Sequence, residues 1–205
     1  MPKLLIATKN HGKFLELSKP LEPFGFELIS LGQFPDIQAP DEPHGTYEAN
    51  AIEKAEYYLQ KTQVEYVLAD DSGIEIPVMQ GALGVKTRRF GLGESASDAD
   101  WLQHFLQAMS PFQGDPLRRA RFVSVLCLKS QQQTLCFEGE SEGIIAKEVL
   151  APIVPGIPLS SVFVPNGHSK PYAGLTVEEK TQISHRGRAL QKLIDYFLDN
   201  GFNYQ

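Results

Sequence analysis

The sequence predicts an α/β protein whose central mixed sheet is flanked by helices. Helical patterns lie early and late in the 205-residue chain, and a long hairpin pattern at 121–129 and 133–140 occupies its middle. Helices around hairpins favour a mixed sheet, in an α/β or an α+β arrangement. The length and the absence of a clear linker predict a single domain over residues 1–205, with a possible lobe at about 110–165.

The first half of the chain alternates apolar runs with turn residues. These patterns predict, in order, a buried strand at 4–7, a helix at 14–21, a strand at 26–31, a loop at 32–45, a helix at 46–61 and a short strand at 66–69. The helix at 46–61 has Tyr47, Ala51 and Ala55 on one face. The short strand is expected to deliver Asp70 and Asp71 at its end.

The second half begins with a helix that follows a Ser97 cap. After it the patterns predict the hairpin, strands at 143–148 and 160–165, a short helix opened by Thr176 and Glu179, and a last helix from His185 to Leu198 that ends at Gly201. Trp101, Phe105 and Met109 recur at helical spacing, and we interpret them as core residues.

Composition excludes some classes of function. The chain has 19 Lys and Arg against 25 Asp and Glu, which argues against a nucleic-acid-binding protein with a broad basic surface but allows a local basic pocket. Cys127 and Cys136 are expected to be core thiols, because two cysteines define neither a disulfide framework nor a zinc site. No apolar run reaches the roughly 20 residues of a membrane span, and the N-terminal apolar stretch is short, so a cytoplasmic protein is expected.

The stretch LLIATKNHGKFLEL, residues 4–17, combines a strand, a polar turn and a helix that starts near Lys13. Free backbone N–H groups and the positive end of the helix dipole meet at such a turn. Thr8 and Asn10 add short polar side chains, and Lys9 and Lys13 add positive charge. The turn is therefore a candidate phosphate site; an ordinary polar cap is the alternative, because the spacing is not that of a P-loop.

Two acidic stretches are candidate ligands of a hard cation. Asp41 and Glu42 lie in the loop APDEPHG, which by itself is typical of a solvated loop, and Asp70 and Asp71 lie in ADDSGIEI, where Asp-Ser-Gly is also ordinary turn chemistry. If the loop folds back towards the aspartates, the carboxylates need a cation such as Mg²⁺, which prefers oxygen ligands. Because neighbouring strand residues face opposite ways, the two aspartates are expected to have different roles.

The stretch KTQISHRGRAL places Lys180, His185, Arg186 and Arg188 near the start of the last helix, with Ser184 as its N-cap. Arginine side chains and a helix N-terminus both bind phosphate. The patch is either a phosphate-binding site or a basic surface exposed to solvent.

Ordered motifs across almost the whole chain resemble the inosine triphosphate pyrophosphatase family. They are Thr-x-Asn-x-x-Lys at 8–13, Asn-Ala-x-x-Lys-Ala at 50–55, Asp-Asp-Ser-Gly at 70–73 with GALGV at 81–85, and EKTQISHRG at 179–187. The family hydrolyses nucleoside triphosphates that carry deaminated or otherwise aberrant purines. Each motif alone is common, whereas the ordered set is specific.

The resemblance implies a long mixed sheet with two lobes around a cleft, a homodimer, and Mg²⁺-dependent attack of water at the α-phosphorus that releases pyrophosphate and a nucleoside monophosphate. It implies catalysis by Asp71 and Lys13, and metal binding by Asp71 and Glu42. The sequence leaves open whether Asp41 or Glu42 contacts the metal and whether Mn²⁺ replaces Mg²⁺. The substrate-binding residues it implies are Thr8, Asn10, Lys13, Ser72, Lys180, His185 and Arg186.

The chain departs from the family on the side that recognises the base. The family's Gly-Phe-Gly-Tyr-Asp-Pro loop reads GIPLSS here, from Gly156 to Ser161, so a stacking aromatic ring and a carboxylate are lost. Pro171 and Gly174 replace a threonine and a glutamate near by. Deaminated purine triphosphates remain the expected substrates. The alternatives are another nucleotide, a nucleotide-binding dimer without catalysis, and a house-cleaning pyrophosphatase of a different family.

Overall fold

The computed structural model describes residues 1–93 and 95–202 and contains a six-stranded sheet with helices on both faces. The strands are β1 (Lys3–Ile6), β2 (Glu27–Ser30), β3 (Tyr66–Glu75), β4 (Arg119–Lys129), β5 (Thr134–Ile145) and β6 (Phe163–Pro165). The helices are α1 (His11–Leu21), α2 (Tyr47–Lys61), α3 (Asp98–Met109), α4 (Val177–Ile183) and α5 (His185–Asp199). None of the helices in the described ranges is long and apolar enough to span a membrane.

The sheet has the order β2-β1-β3-β4-β5-β6, and its parallel and antiparallel parts meet in β3. β1 pairs in parallel with β2 and with the start of β3. β3 also pairs antiparallel with β4, β4 with β5, and β5 with β6. The predicted mixed α/β sheet is therefore confirmed.

Three apolar clusters hold the helices against the sheet. The first packs α1 and α5 on one face, the second packs α2 on the other face, and the third gathers α3 and β6 around the far ends of β3 and β4. Each buried Leu or Phe side chain contributes about 1.5–3 kcal/mol, so these clusters anchor the strands firmly. Along β3, Ala69 lies in the second cluster and Ile74 in the third, which leaves Asp70, Asp71 and Ser72 between two apolar cores.

The prediction of a short strand at 66–69 is wrong about where the strand ends. β3 continues to Glu75 because β4 supplies pairing partners for the second half, with Asp70 opposite Leu126 and Asp71 opposite Val125. The two aspartates therefore lie inside a strand and not at its end.

Other predicted boundaries shift for similar reasons. The predicted strand at 143–148 is in part the end of β5, which pairs there with β6. Residues 160–161 belong to a short 3-10 helix, so β6 begins at Phe163. α1 begins at His11, before the predicted start at 14, because the Asn10 side chain caps it by accepting a hydrogen bond from the Lys13 N–H.

Several local predictions are confirmed. Ser97 caps α3, and Thr176 with Glu179 forms a capping box at α4. Trp101, Phe105 and Met109 are buried. Cys127 and Cys136 are free thiols that face each other across β4 and β5; Cys127 is a core residue as predicted, whereas Cys136 is only half-buried.

Candidate active site

One cavity of about 410 Å³ lies beside the polar stretch of β3, between the apolar clusters. Nine residues predicted for catalysis, substrate binding or metal binding line it: Thr8, Asn10, Lys13, Glu42, Asp71, Ser72, Lys180, His185 and Arg186. Glu42 lines the cavity, whereas Asp41 is exposed. The fold thus brings together side chains from both ends of the sequence.

Asp70 holds two cations on one side of the cavity. Its Oδ2 atom lies 2.7 Å from Lys13 Nζ and 3.3 Å from Arg186 Nη2, and its Oδ1 atom accepts a 2.6 Å hydrogen bond from the Ser124 hydroxyl. Burial alone would raise the pKa of Asp70, but the charges of Arg186 and Lys13 outweigh it and hold the pKa well below its usual range. Asp70 is therefore an ionised internal counter-ion.

The Ser72 hydroxyl bridges the same two cations. It accepts hydrogen bonds from Lys13 Nζ at 2.9 Å and from Arg186 Nη2 at 3.1 Å. An ammonium group has three donors. Because Asp70 and Ser72 take two of them, Lys13 keeps one N–H for a ligand in the cavity.

The predicted basic patch is partly neutralised from within. Glu16 on α1 forms ion pairs with both Lys180 and Arg186. Burial acts to raise the pKa of Glu16, but these two cations lower it below its usual value. Arg188 donates a hydrogen bond to the Glu140 carbonyl and lies outside the cavity lining. Lys180 and Arg186 thus belong to a largely buried charge network with His185 beside it, whereas Arg188 is exposed to solvent.

Asp71 faces α2, on the opposite side of β3 from Asp70. Its Oδ2 atom accepts a 3.0 Å hydrogen bond from Asn50 Nδ2, and its Oδ1 atom accepts one from the Ser72 N–H at 3.0 Å. Burial raises the pKa of Asp71, and the charge of Lys54 offsets only part of that rise. The two aspartates thus face opposite sides of β3 and have different partners, as strand alternation predicts; that they have different functional roles stays a prediction.

The acidic loop folds back towards β3, as the metal hypothesis requires. Lys54 Nζ lies 2.5 Å from Glu42 Oε1 and donates to the Asp70 carbonyl at 3.1 Å. Arg89 Nη2 lies 3.5 Å from Glu42 Oε2. The described residues contain no group of three or more potential metal ligands among His, Cys, Asp and Glu. Two carboxylates, Glu42 and Asp71, nevertheless suit Mg²⁺, which commonly binds through one or two carboxylates together with substrate phosphates.

The turn before α1 is fixed by its own side chains. Thr8 Oγ1 accepts the Asn10 N–H at 3.1 Å, and Asn10 Nδ2 donates to the Gly156 carbonyl at 2.6 Å. The Asn10 amide therefore caps α1 and ties the turn to the loop that precedes Ile157. In this arrangement Asn10 fixes the turn and, together with Thr8 and Lys13, also lines the cavity.

The other end of the cavity is apolar and aromatic. Trp101, Phe122, Leu159 and Tyr172 line it, and the His185 ring stacks on Phe122 with centroids 4.6 Å apart. Burial, together with the charge of Arg186, lowers the pKa of His185 well below its usual value, so the imidazole is neutral. These rings pack on one another and give this end of the cavity an apolar, aromatic lining.

Some of the residues that depart from the family pattern line this end of the cavity, and others do not. Ile157, Pro158, Leu159 and Ser160 line the cavity. The Ser160 hydroxyl donates to the Ile157 carbonyl at 2.7 Å, so it is used within the loop. Pro171 and Gly174 lie outside the lining, and Tyr172 between them lines it.

Sequence reasoning missed the contacts made by several residues that line the cavity or lie beside it. Asn50 and Lys54 lie four residues apart on α2 and therefore share a helix face. Both belong to the Asn-Ala-x-x-Lys-Ala motif at 50–55, which was the sequence signal that could have identified them. Glu16 and Asp70 act as counter-ions, and Arg88 and Arg89 come from a 3-10 turn at Thr87–Arg89. Trp101 is buried as predicted, but it also lines the cavity.

The fold and the site define a class: an α/β protein with a mixed sheet and a cleft that is cationic on one side and aromatic on the other. The chain belongs to the Ham1 family, whose model matches residues 4–196. The resemblance inferred from the motifs is thereby confirmed.

Relatives and solved structures cover nearly the whole chain. The dITP/XTP pyrophosphatase of Exiguobacterium sp. is 38% identical over 196 residues, which are 93% of this chain and 94% of the relative. The dITP/XTP pyrophosphatase of Desulforamulus reducens is 35% identical over 196 residues, 94% of each chain. The structure of a HAM1 protein from Coxiella burnetii matches with a TM-score of 0.82 at 30% identity, covering 97% of this chain and all of the other.

Proposed function

We propose that the chain is a Mg²⁺-dependent nucleoside triphosphate pyrophosphatase that hydrolyses deaminated or aberrant purine nucleotides (inosine, deoxyinosine and xanthosine triphosphates) to the monophosphate and pyrophosphate. One observation carries this proposal: a single cavity unites the cations around Asp70 with a separately held carboxylate, Asp71, and an aromatic end. The relatives are dITP/XTP pyrophosphatases, which supports the same reaction.

The cationic side would hold the triphosphate. Lys13 has one free N–H, and Arg186 is kept in place by Asp70 and Glu16. Fixed cations of this kind stabilise negative charge that grows on phosphate oxygens in the transition state, and they need no reorganisation to do so. Ser72 and the turn at Thr8 add hydrogen-bonding groups beside them.

Asp71 would orient or deprotonate the attacking water. Asn50 and the Ser72 N–H fix its two oxygens, so the carboxylate has a defined orientation. Glu42 and Asp71 would hold Mg²⁺, which, when bound, neutralises charge on the phosphate oxygens. Lys54, between Glu42 and the Asp70 carbonyl, keeps the acidic loop close to β3.

The aromatic end would hold the base and exclude water from it. Phe122, Trp101 and Tyr172 contribute apolar ring surface to this end, and the neutral His185 can share a hydrogen bond without adding charge. A homodimer and a cytoplasmic location are further expectations from the family resemblance. Light scattering of the purified protein tests the first of them.

A second candidate is a nucleotide-binding protein that has lost catalysis. It is favoured by the loop from Ile157 to Ser161, which has neither an aromatic ring nor a carboxylate. This candidate predicts nucleotide binding without release of pyrophosphate from any triphosphate.

Replacing Asp71 with Asn tests the proposed reaction. A positioned general base accelerates a reaction about 10²- to 10⁴-fold, so the rate of pyrophosphate release from inosine triphosphate with Mg²⁺ is expected to fall by at least that factor. Nucleotide binding and the far-UV circular dichroism spectrum should be retained. Asp36→Asn, at an exposed loop position, is the matched control and should keep full activity. Full activity of Asp71→Asn would contradict the mechanism, and binding without turnover in the unaltered protein would favour the second candidate.

A further inference from the structure

The buried polar atoms that lack partners are concentrated in one place. Among the described residues, four buried side-chain atoms have no hydrogen-bond partner: Arg88 Nη1, Trp101 Nε1, Tyr172 Oη and His185 Nδ1. All four residues line the cavity. Tyr172 has polar neighbours in the Ser141 side chain and the His185 backbone, so the clearest cases are the nitrogens. Leaving a buried donor unpaired is unfavourable, and the clustering of these atoms around one cavity indicates groups reserved for a ligand.

Arg88 and Trp101 form one wall of the aromatic end. The Arg88 guanidinium carbon lies 5.8 Å from the centre of the Trp101 ring, and Trp101 stacks on Phe105 with the planes 6° apart. Trp101 is 1% exposed, so its plane is fixed by the core. Arg88 Nη2 is held by Asp98 and by the Ala96 carbonyl, so the buried Nη1 is the guanidinium nitrogen that is left for a ligand.

This wall is tied to the phosphate side through Asp98. Asp98 Oδ1 lies 3.3 Å from Arg88 Nη2, which also donates to the Ala96 carbonyl at 2.8 Å. Asp98 Oδ2 accepts the Gly156 N–H at 2.6 Å, and the Gly156 carbonyl accepts from Asn10, the cap of α1. A continuous set of hydrogen bonds therefore fixes the distance between the wall and the phosphate turn.

We propose that Arg88 and Trp101 determine base specificity in this chain by donating hydrogen bonds to the O6/N7 edge of a 6-oxopurine. The inference rests on the proposed function and adds which edge of the purine base the cavity recognises. Arginine pairs with the O6 and N7 acceptors of guanine in nucleic acids, and hypoxanthine and xanthine present the same edge. The indole N–H and the guanidinium are donors only, and adenine presents its own amino donor at that edge, so the wall rejects adenine.

Two conservative variants test this role. Arg88→Met keeps an unbranched side chain and removes the donors, and Trp101→Phe keeps an aromatic ring and removes the N–H. We would measure kcat/KM with inosine and adenosine triphosphates, and the Kd of inosine and adenosine monophosphates by calorimetry. The preference for inosine over adenosine is expected to fall about ten- to hundredfold in Arg88→Met and less in Trp101→Phe. Arg119→Met, at an exposed arginine outside the cavity lining, should leave the preference unchanged.

The outcomes separate this inference from the proposed reaction. If the protein releases pyrophosphate but both variants keep the preference within twofold, the inference is overturned and the proposed function stands. If the protein prefers inosine monophosphate in binding, and Arg88→Met loses that preference, the inference stands even when no triphosphate is hydrolysed. An unaltered protein that binds inosine and adenosine monophosphates equally overturns the inference.

Discussion

Replacing Asp70 with Asn removes a negative charge that is shared by the partly exposed Lys13 and the buried Arg186. The Asp70 side chain is fully buried, and it contacts Lys13 at 2.7 Å and Arg186 at 3.3 Å. Lys13 is 21% exposed and can turn to solvent, but Arg186 is 5% exposed and cannot. Removing one partner of a buried ion pair costs about 3–5 kcal/mol. For a chain of this size, that corresponds to a fall in Tm of about 6–20 °C.

The assay is urea unfolding, followed by fluorescence of the single tryptophan and by far-UV circular dichroism. Asp36→Asn is the control, and it should change the free energy of unfolding by less than about 0.5 kcal/mol. Because the folded pKa of Asp70 is depressed, its contribution is present above the unfolded pKa of about 3.9 and is lost as the pH falls further. A loss below about 1 kcal/mol at pH 7 in Asp70→Asn would refute the view of Asp70 as the counter-ion of both cations.

Three further substitutions follow from the same geometry. Asn10→Ala removes the cap of α1 and should lower the free energy of unfolding by about 1–2 kcal/mol and raise KM, measured by urea unfolding and initial rates. His185→Phe should make the free energy of unfolding depend less on pH between 5 and 7. The buried His185 stays neutral, whereas in the unfolded chain it binds a proton near pH 6.5, so it contributes stability that rises with pH over this range. An unchanged slope in urea unfolding would contradict this. Gly73→Ala should cost about 1–3 kcal/mol or more in the same assay, since its Cβ would lie 2.1 Å from the Gly84 carbonyl oxygen, whereas Gly45→Ala meets nothing within 4 Å.

Local rules predicted the parts of the fold that depend on neighbours in sequence. Strand alternation placed Asp70 and Asp71 on opposite faces, and the contacts of Lys13 and Asn50 confirm it. The same rules predicted that β3 ends at residue 69, which is too early, because two carboxylates are unfavourable in an isolated strand. The strand continues because β4, some 50 residues later, pairs with it and Arg186 neutralises Asp70.

The sequence motifs predicted most residues of the candidate site. They did not predict the ion pairs that neutralise charges within it. Glu16 carries no sequence signal, because its role depends on Lys180 and Arg186 arriving from the other end of the chain. Trp101 has the helical spacing of a core residue and is buried, but only the packed structure shows that it also lines the cavity beside Arg88.

The most direct test of the account is a pyrophosphate-release screen with Mg²⁺. It would compare inosine, deoxyinosine and xanthosine triphosphates with the common ribo- and deoxyribonucleoside triphosphates, with Asp71→Asn as the blank. The account predicts that kcat/KM for the inosine and xanthosine nucleotides exceeds that for adenosine triphosphate by about 10² or more, the scale on which buried hydrogen-bonding groups discriminate. A flat profile, a preference for adenosine triphosphate, or no turnover above the blank would contradict it.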